Sequence, residues 1–113
     1  MVEYPVAVTE SLLHEITHCI VEAFNPEKVI LFGSRADGTP HTDSDVDLLV
    51  ITEQAEGSLI QRAVAVKRIC RPRLVAMDVL VKTPQEVAAQ LQRGNLFLRQ
   101  ILEEGKVLHE RYT

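Results

Sequence analysis

Three aspartates and a Gly-Ser pair carry the chemistry that can be read in this 113-residue chain. Asp45 and Asp47 are two apart at the start of an apolar run that reads as a strand from Asp45 to Thr52. Strand side chains alternate, so both carboxylates are expected on one face, with Val46 and Leu48 turned the other way into the core. Two carboxylates side by side repel each other unless a cation lies between them. Hard oxygen donors favour Mg²⁺ or Mn²⁺ over zinc. Asp78 is the third candidate and stands alone among Val75, Ala76, Met77, Val79, Leu80 and Val81. A lone charge in so apolar a strand is costly unless it is paired or metal-bound. If the strand of Asp78 lies beside that of Asp47, the cluster could hold two metals roughly 3.5–4 Å apart, the arrangement used for in-line phosphoryl displacement.

Gly33-Ser34 follows the short apolar run Lys28 to Phe32. Glycine lets the backbone approach a phosphate closely, and exposed N–H groups at a helix start attract anions. The Ser34 hydroxyl can donate to a phosphate oxygen, and Arg35 and Lys28 are the nearest cations. Residues 35–43 read as a loop that carries the chain back, so that a phosphate site and the carboxylates can face each other. Each piece has an ordinary explanation. A Gly-Ser after a strand is commonly a turn, an Asp-x-Asp a solvated strand face, and Asp78 the partner of a nearby Arg or Lys. The combination is far more specific than its parts.

The elements that must position these groups follow from the apolar periodicity. Residues 10–24 predict a helix with Thr9 as N-cap and a stripe of Leu12, Leu13, Ile16, Ile20 and Phe24, stopped at Asn25-Pro26. Strands are expected at 28–32, 45–52 and 74–82. A helix is expected at 58–70, closed by Pro72. Thr83-Pro84 opens a third helix that runs to about Arg93, with Thr83 as N-cap. After Gly94-Asn95 a fourth helix spans 96–104 and ends at Gly105, and 107–109 predicts a short edge strand. The order describes one mixed α/β domain over residues 1–113. The first two strands, joined by a compact loop, are expected to be antiparallel. The second and third, joined through a helix, are expected to be parallel.

Composition narrows the partners. The net charge is −4 and Trp is absent, with three Phe and two Tyr. That argues against a stacking single-strand binder and against an extended nucleic-acid partner. Metal ions could still make a small polyanion such as a nucleotide acceptable. Cys19 and Cys70 fall within apolar helical patterns and read as reduced core residues of a cytoplasmic protein. No apolar run is long enough to span a membrane, and the N-terminus does not read as a signal peptide. The apolar residues Leu96, Phe97, Leu98, Ile101 and Leu102 slightly exceed one helix face, which hints at a homo-oligomer contact.

His14-Glu15-Ile16-Thr17-His18 fits the zinc-protease pattern His-Glu-x-x-His. On a helix turning about 100° per residue, His14 and His18 fall opposite the Leu12, Ile16, Ile20 stripe. They are expected to face solvent rather than a cleft. His41, a lone loop histidine, is read as solvated.

Gly33-Ser34-Arg35-Ala36-Asp37-Gly38, followed by Ser44-Asp45-Val46-Asp47-Leu48-Leu49-Val50, resembles the signature of the DNA polymerase β-like nucleotidyltransferases. It is most similar to their minimal nucleotidyltransferase family, whose chains have about this length, and the resemblance covers nearly the whole sequence. It implies the palm-like nucleotidyltransferase fold, an α+β domain with helices packed on a small mixed sheet. It implies that Asp45 and Asp47 hold two Mg²⁺ (or Mn²⁺) ions, that Asp78 holds the catalytic one, and that Gly33 and Ser34 hold the β- and γ-phosphates of the donor ATP. Arg35 and Ser44 are the accompanying nucleotide-binding candidates. Asp37 departs from the pattern, since relatives often carry a basic residue there and an acid is unhelpful beside a triphosphate.

The family also implies an antitoxin role. Minimal nucleotidyltransferases resemble the antitoxin half of two-gene systems whose toxin is a HEPN-domain ribonuclease, and the implied reaction is AMP transfer to a tyrosine of that partner. Two other readings stay open: a non-catalytic module that neutralises a partner by contact, and an enzyme acting on a small-molecule hydroxyl.

Overall fold

A computed structural model describes residues 10–33, 46–70 and 76–111. Along these segments run α1 (Glu10–Phe24), β1 (Lys28–Phe32), β2 (Val46–Ile51), α2 (Leu59–Cys70), β3 (Met77–Lys82), α3 (Pro84–Gln92), α4 (Leu96–Glu104) and β4 (Lys106–Glu110). These bounds agree with the expectations from periodicity to within a residue or two wherever both ends are described. The proposed Thr9 cap, the 35–43 loop and the Pro72 stop lie outside the described residues.

The four strands form one sheet in the order β3-β2-β1-β4. β1 pairs antiparallel with both β2 and β4, and β2 pairs parallel with β3. The sheet is therefore mixed, as the connection lengths require. Strand alternation divides the core in two. Val29, Leu31, Val46, Leu48, Val50, Val79 and Val81 pack with Leu12, Ile16 and Ile20 of α1 and with Val66 and Cys70 of α2. On the opposite face Ile30, Leu49 and Ile51 pack with Val87 of α3 and with Leu98 and Ile101 of α4. The fold is a sheet between two helical layers, matching the expected α/β class.

Local chemistry sets the element ends. α1 stops at Asn25, whose φ of 46° is one that asparagine tolerates better than most residues, and its N–H donates to the Val21 carbonyl at 3.0 Å. Thr52, 1% exposed, donates its hydroxyl to the Phe24 carbonyl at 2.8 Å and ties the end of β2 to the end of α1. α3 opens as expected with Pro84 in its first turn and a capping box: Thr83 Oγ1 accepts from the Glu86 N–H, and Glu86 Oε1 accepts from the Thr83 N–H. α4 is capped by Asn95, whose Oδ1 accepts from the Leu98 N–H at 3.0 Å.

Candidate active site

The register of the sheet brings Asp47 and Asp78 together. They are direct partners in the parallel β2–β3 ladder, so their side chains leave the same face of the sheet on neighbouring strands about 4.8 Å apart. This is the face shared with α3 and α4, while Val46 and Leu48 point into the other core as expected. Asp47 is half-buried and Asp78 is exposed. The exposure of Asp78 overturns one step of the sequence argument. Its carboxylate avoids the desolvation cost, because it sits at the start of β3 at the margin of the sheet. The expected placement beside Asp47 rests on the parallel pairing of β2 and β3, which is found.

Gly33 closes the same corner. It follows β1 directly, and Phe32, its neighbour, is the antiparallel partner of Asp47. Gly33 has a φ of 81°, and a Cβ built there would overlap Asp47 Oδ2. The left-handed backbone favours glycine, and a side chain there would also force the Asp47 carboxylate to turn aside. The absence of a Cβ lets the half-buried Asp47 carboxylate lie directly against the backbone at the end of β1.

Of the residues expected to act, Gly33, Asp47 and Asp78 are thus brought to one corner. Ser34, Arg35, Ser44 and Asp45, with Asp37 and His41, lie outside the described residues. Among the described residues no three His, Cys, Asp or Glu side chains form a group that could hold a metal, and the triad inferred from sequence needs Asp45. The chemistry of the pair still fits a hard divalent cation: two carboxylates side by side on adjacent strands, one of them exposed.

One neighbour was missed from sequence. Phe32 shares the face of Asp47 and meets Phe97 of α4 edge to face, with ring centroids 5.9 Å apart and planes at 83°. The alternation that places Asp47 also places Phe32 once the β1–β2 register is known. The partnership with Phe97 depends on how α4 packs, which periodicity alone does not fix.

The other sequence candidates sit elsewhere. His14 and His18 are exposed on α1, and they line a groove of about 380 Å³ against Lys106 and His109 of β4. His18 faces Glu22 at 3.6 Å. Cys19 and Cys70 are free, as expected. Cys19 Sγ donates to the Ile69 carbonyl at 3.3 Å. Burial, with the adjacent Cys19 thiol adding to it, pushes the Cys70 thiol up to about 12, which suits an inert core residue. Leu98 and Ile101 of the apolar tail are buried, and Leu96 and Phe97 are the exposed part of it. None of the described helices is long and apolar enough to cross a membrane.

Comparison with known proteins bears on the whole arrangement. The profile of a family described as polymerase beta, nucleotidyltransferase matches residues 14–113. A crystal structure from Sulfolobus solfataricus, solved as that of a candidate nucleotidyltransferase, is similar at a TM-score of 0.59 and 24% identity. The similarity covers 89% of this chain and 79% of that one, and it is a likeness of fold. The search of curated proteins gave no match.

Proposed function

This chain belongs to the polymerase beta nucleotidyltransferase family, and from that premise we propose that it transfers AMP from ATP to a hydroxyl of a partner protein. The observation that carries the reading is the row of Asp47 and Asp78 across the parallel β2–β3 pair, closed by the side-chain-free corner at Gly33. Asp45, two residues before Asp47 in the sequence, is proposed as the third carboxylate. Asp45, Asp47 and Asp78 would hold two Mg²⁺ ions, and Gly33, Ser34, Arg35 and Ser44 would receive the phosphates of the donor.

In the proposed reaction the acceptor oxygen forms a bond to the α-phosphorus, and the bond from that phosphorus to the bridging oxygen of the β-phosphate breaks. Pyrophosphate departs with the electron pair. Divalent metal held by Asp45, Asp47 and Asp78 would lower the pKa of the acceptor hydroxyl and offset the charge that grows on the leaving group. Asp78, exposed at the margin of the sheet, is proposed to accept the hydroxyl proton or to serve only as a metal ligand. Gly33, with no side chain, would let its backbone approach the phosphates closely while Asp47 lies against it. The net negative charge of the chain is compatible with this, because the local field is set by the ions.

The acceptor is proposed from the family resemblance: a tyrosine of a HEPN-type toxin, with this protein as the antitoxin. The decisive experiment incubates the full chain with ATP, Mg²⁺ and the protein encoded beside it, followed by intact-mass measurement. The expected result is one AMP added to the partner, absent with Asp45→Asn. Identical masses with and without that substitution would remove the enzymatic reading. If the neutralised partner carries no adduct and Asp45→Ala still neutralises it, contact alone is the mechanism. Turnover of ATP without any protein acceptor would point instead to a small-molecule hydroxyl.

A further inference from the structure

The donor's base is not assigned by the carboxylates or by Gly33, and two phenylalanines beside them bear on it. The chain has three phenylalanines and no tryptophan. Two of the three, Phe32 and Phe97, meet beside the carboxylate row. Phe32 rises from the same face as Asp47, one strand spacing away (about 4.8 Å), and is itself half-buried. Phe97, in the first turn of α4, remains 56% exposed although its ring edge or face is already engaged by Phe32. Core packing does not require that ring. Leu98 and Ile101 anchor α4 at 1% and 3% exposure, and Leu96 on the same turn is 76% exposed.

We propose that the exposed ring of Phe97, held in plane by Phe32, is the platform on which the nucleobase of the donor stacks while its phosphates enter the Gly33–Asp47 corner. The inference rests on the nucleotidyl-transfer reading and specifies which part of the nucleotide the protein grips. One strand spacing and one ring contact separate the position of Asp47 from the Phe97 ring, a span that a ribose and an α-phosphate can bridge. Stacking on a phenyl ring has no hydrogen-bond donor to read the base edge. It therefore favours the larger purine face over a pyrimidine and separates adenine from guanine little.

The test is calorimetric titration of the full chain with Mg²⁺-ATP and, separately, with Mg²⁺-tripolyphosphate, which has the phosphates without the base. F97L keeps an apolar side chain against Phe32 and removes the aromatic face, and F97A removes both. Each is expected to weaken ATP binding about fivefold or more, to leave tripolyphosphate binding unchanged, and to narrow the preference for ATP over CTP. F97Y is expected to bind like the parent. D47N should weaken both ligands. If D47N weakens both while F97L and F97A weaken neither or weaken both equally, base stacking is wrong and the nucleotidyl-transfer reading survives. If D47N leaves both ligands unchanged, that underlying reading is what fails. If F97L leaves ATP binding intact and instead lowers the native mass of the protein, the ring is a contact between copies of the chain, and the proposal is overturned.

Discussion

The two ends of the sheet use polar groups in opposite ways. At the end where β2 and β3 finish, each polar group closes the fold. Arg62, only 11% exposed in its side chain, grips Glu86 through Nη1 at 2.7 Å and Nη2 at 3.2 Å, and Nη1 also donates to the Val81 carbonyl at 3.1 Å. Glu86 completes the Thr83 capping box, and Thr52 ties α1 to β2. Unlike charges meet there, and they join α2, α3 and the sheet. At the end where β2 and β3 begin, Asp47 and Asp78 stand in one row, and the Asp47 carboxylate takes the space a side chain at Gly33 would fill. Like charges opposite each other cost stability. The contrast sets groups that visibly join elements of the fold against a row of two acids on adjacent strands, the row on which the proposed cation chemistry depends.

If the contrast is right, substitutions at the two ends should move different measurements. Asp47→Asn should have the largest effect on chemistry, lowering adduct formation on the order of 10²-fold or more. If Asp47 serves a ligand rather than the fold, a denaturant melt should show stability within about 0.5 kcal/mol of the parent. A marked loss of stability would mean that Asp47 belongs with the structural groups. Gly33→Ala tests whether the corner is shared between fold and chemistry. It should cost about 1 kcal/mol or more in a urea titration, because alanine resists a positive φ. It should also lower adduct formation at least roughly tenfold by crowding Asp47. Intact activity in a destabilised protein would assign Gly33 to the turn alone.

Arg62→Met should do the reverse. The predicted loss is about 1–2 kcal/mol of stability, discounted because Glu86 is 39% exposed in its side chain. The rate of adduct formation, measured well below the melting temperature, should be unchanged. The smallest effect is a change in acid sensitivity. The Arg62 side-chain hydrogen bond, followed by the Thr83 N–H, holds the Glu86 carboxyl below its ordinary 4.5. The unfolded chain therefore takes up that proton first as pH falls. The stabilisation is complete above about 4.5 and declines as pH drops through the folded-state value. Thermal melts from neutral pH downward should show a shallower acid decline in Glu86→Gln than in the parent. An identical decline would place the acid-sensitive group elsewhere.

Much of the fold was legible because its signals are local. The stripe of Leu12, Ile16 and Ile20 gave α1, and all three are buried. Thr83-Pro84 announced the cap of α3, and Glu86 completes it as a capping box in the structure. One part of the candidate site was legible for a related reason: alternation turns Asp47 away from Val46 and Leu48, as found, while Asp45 lies outside the described residues. The expectation that Asp78 is a buried charge was less sound. Its apolar neighbours suggested a buried charge, whereas it is exposed at a strand start, where the burial of Met77 and Val79 says nothing about its own. The salt bridge from Arg62 to Glu86 and the ring pair of Phe32 with Phe97 could not be read from the chain. Both join residues far apart in sequence, and their partners are selected by how two helices settle on opposite faces of the sheet. Periodicity says which side of a helix is inward but not which strand it will meet.

The parallel register of β2 and β3 has a consequence for how the domain can change. Asp47 and Asp78 meet because each strand keeps its phase relative to the other, whatever lies in the connection through α2. A slip of one residue in β3 would send Asp78 to the opposite face and bring Met77 or Val79 out of the α1–α2 core. Every such misalignment is thus penalised first as lost burial, before any loss of chemistry. The hydrophobic core acts as a proofreader for the carboxylates. The connection between the strands can be lengthened, shortened or rewritten over evolutionary time while the two acids keep their alignment.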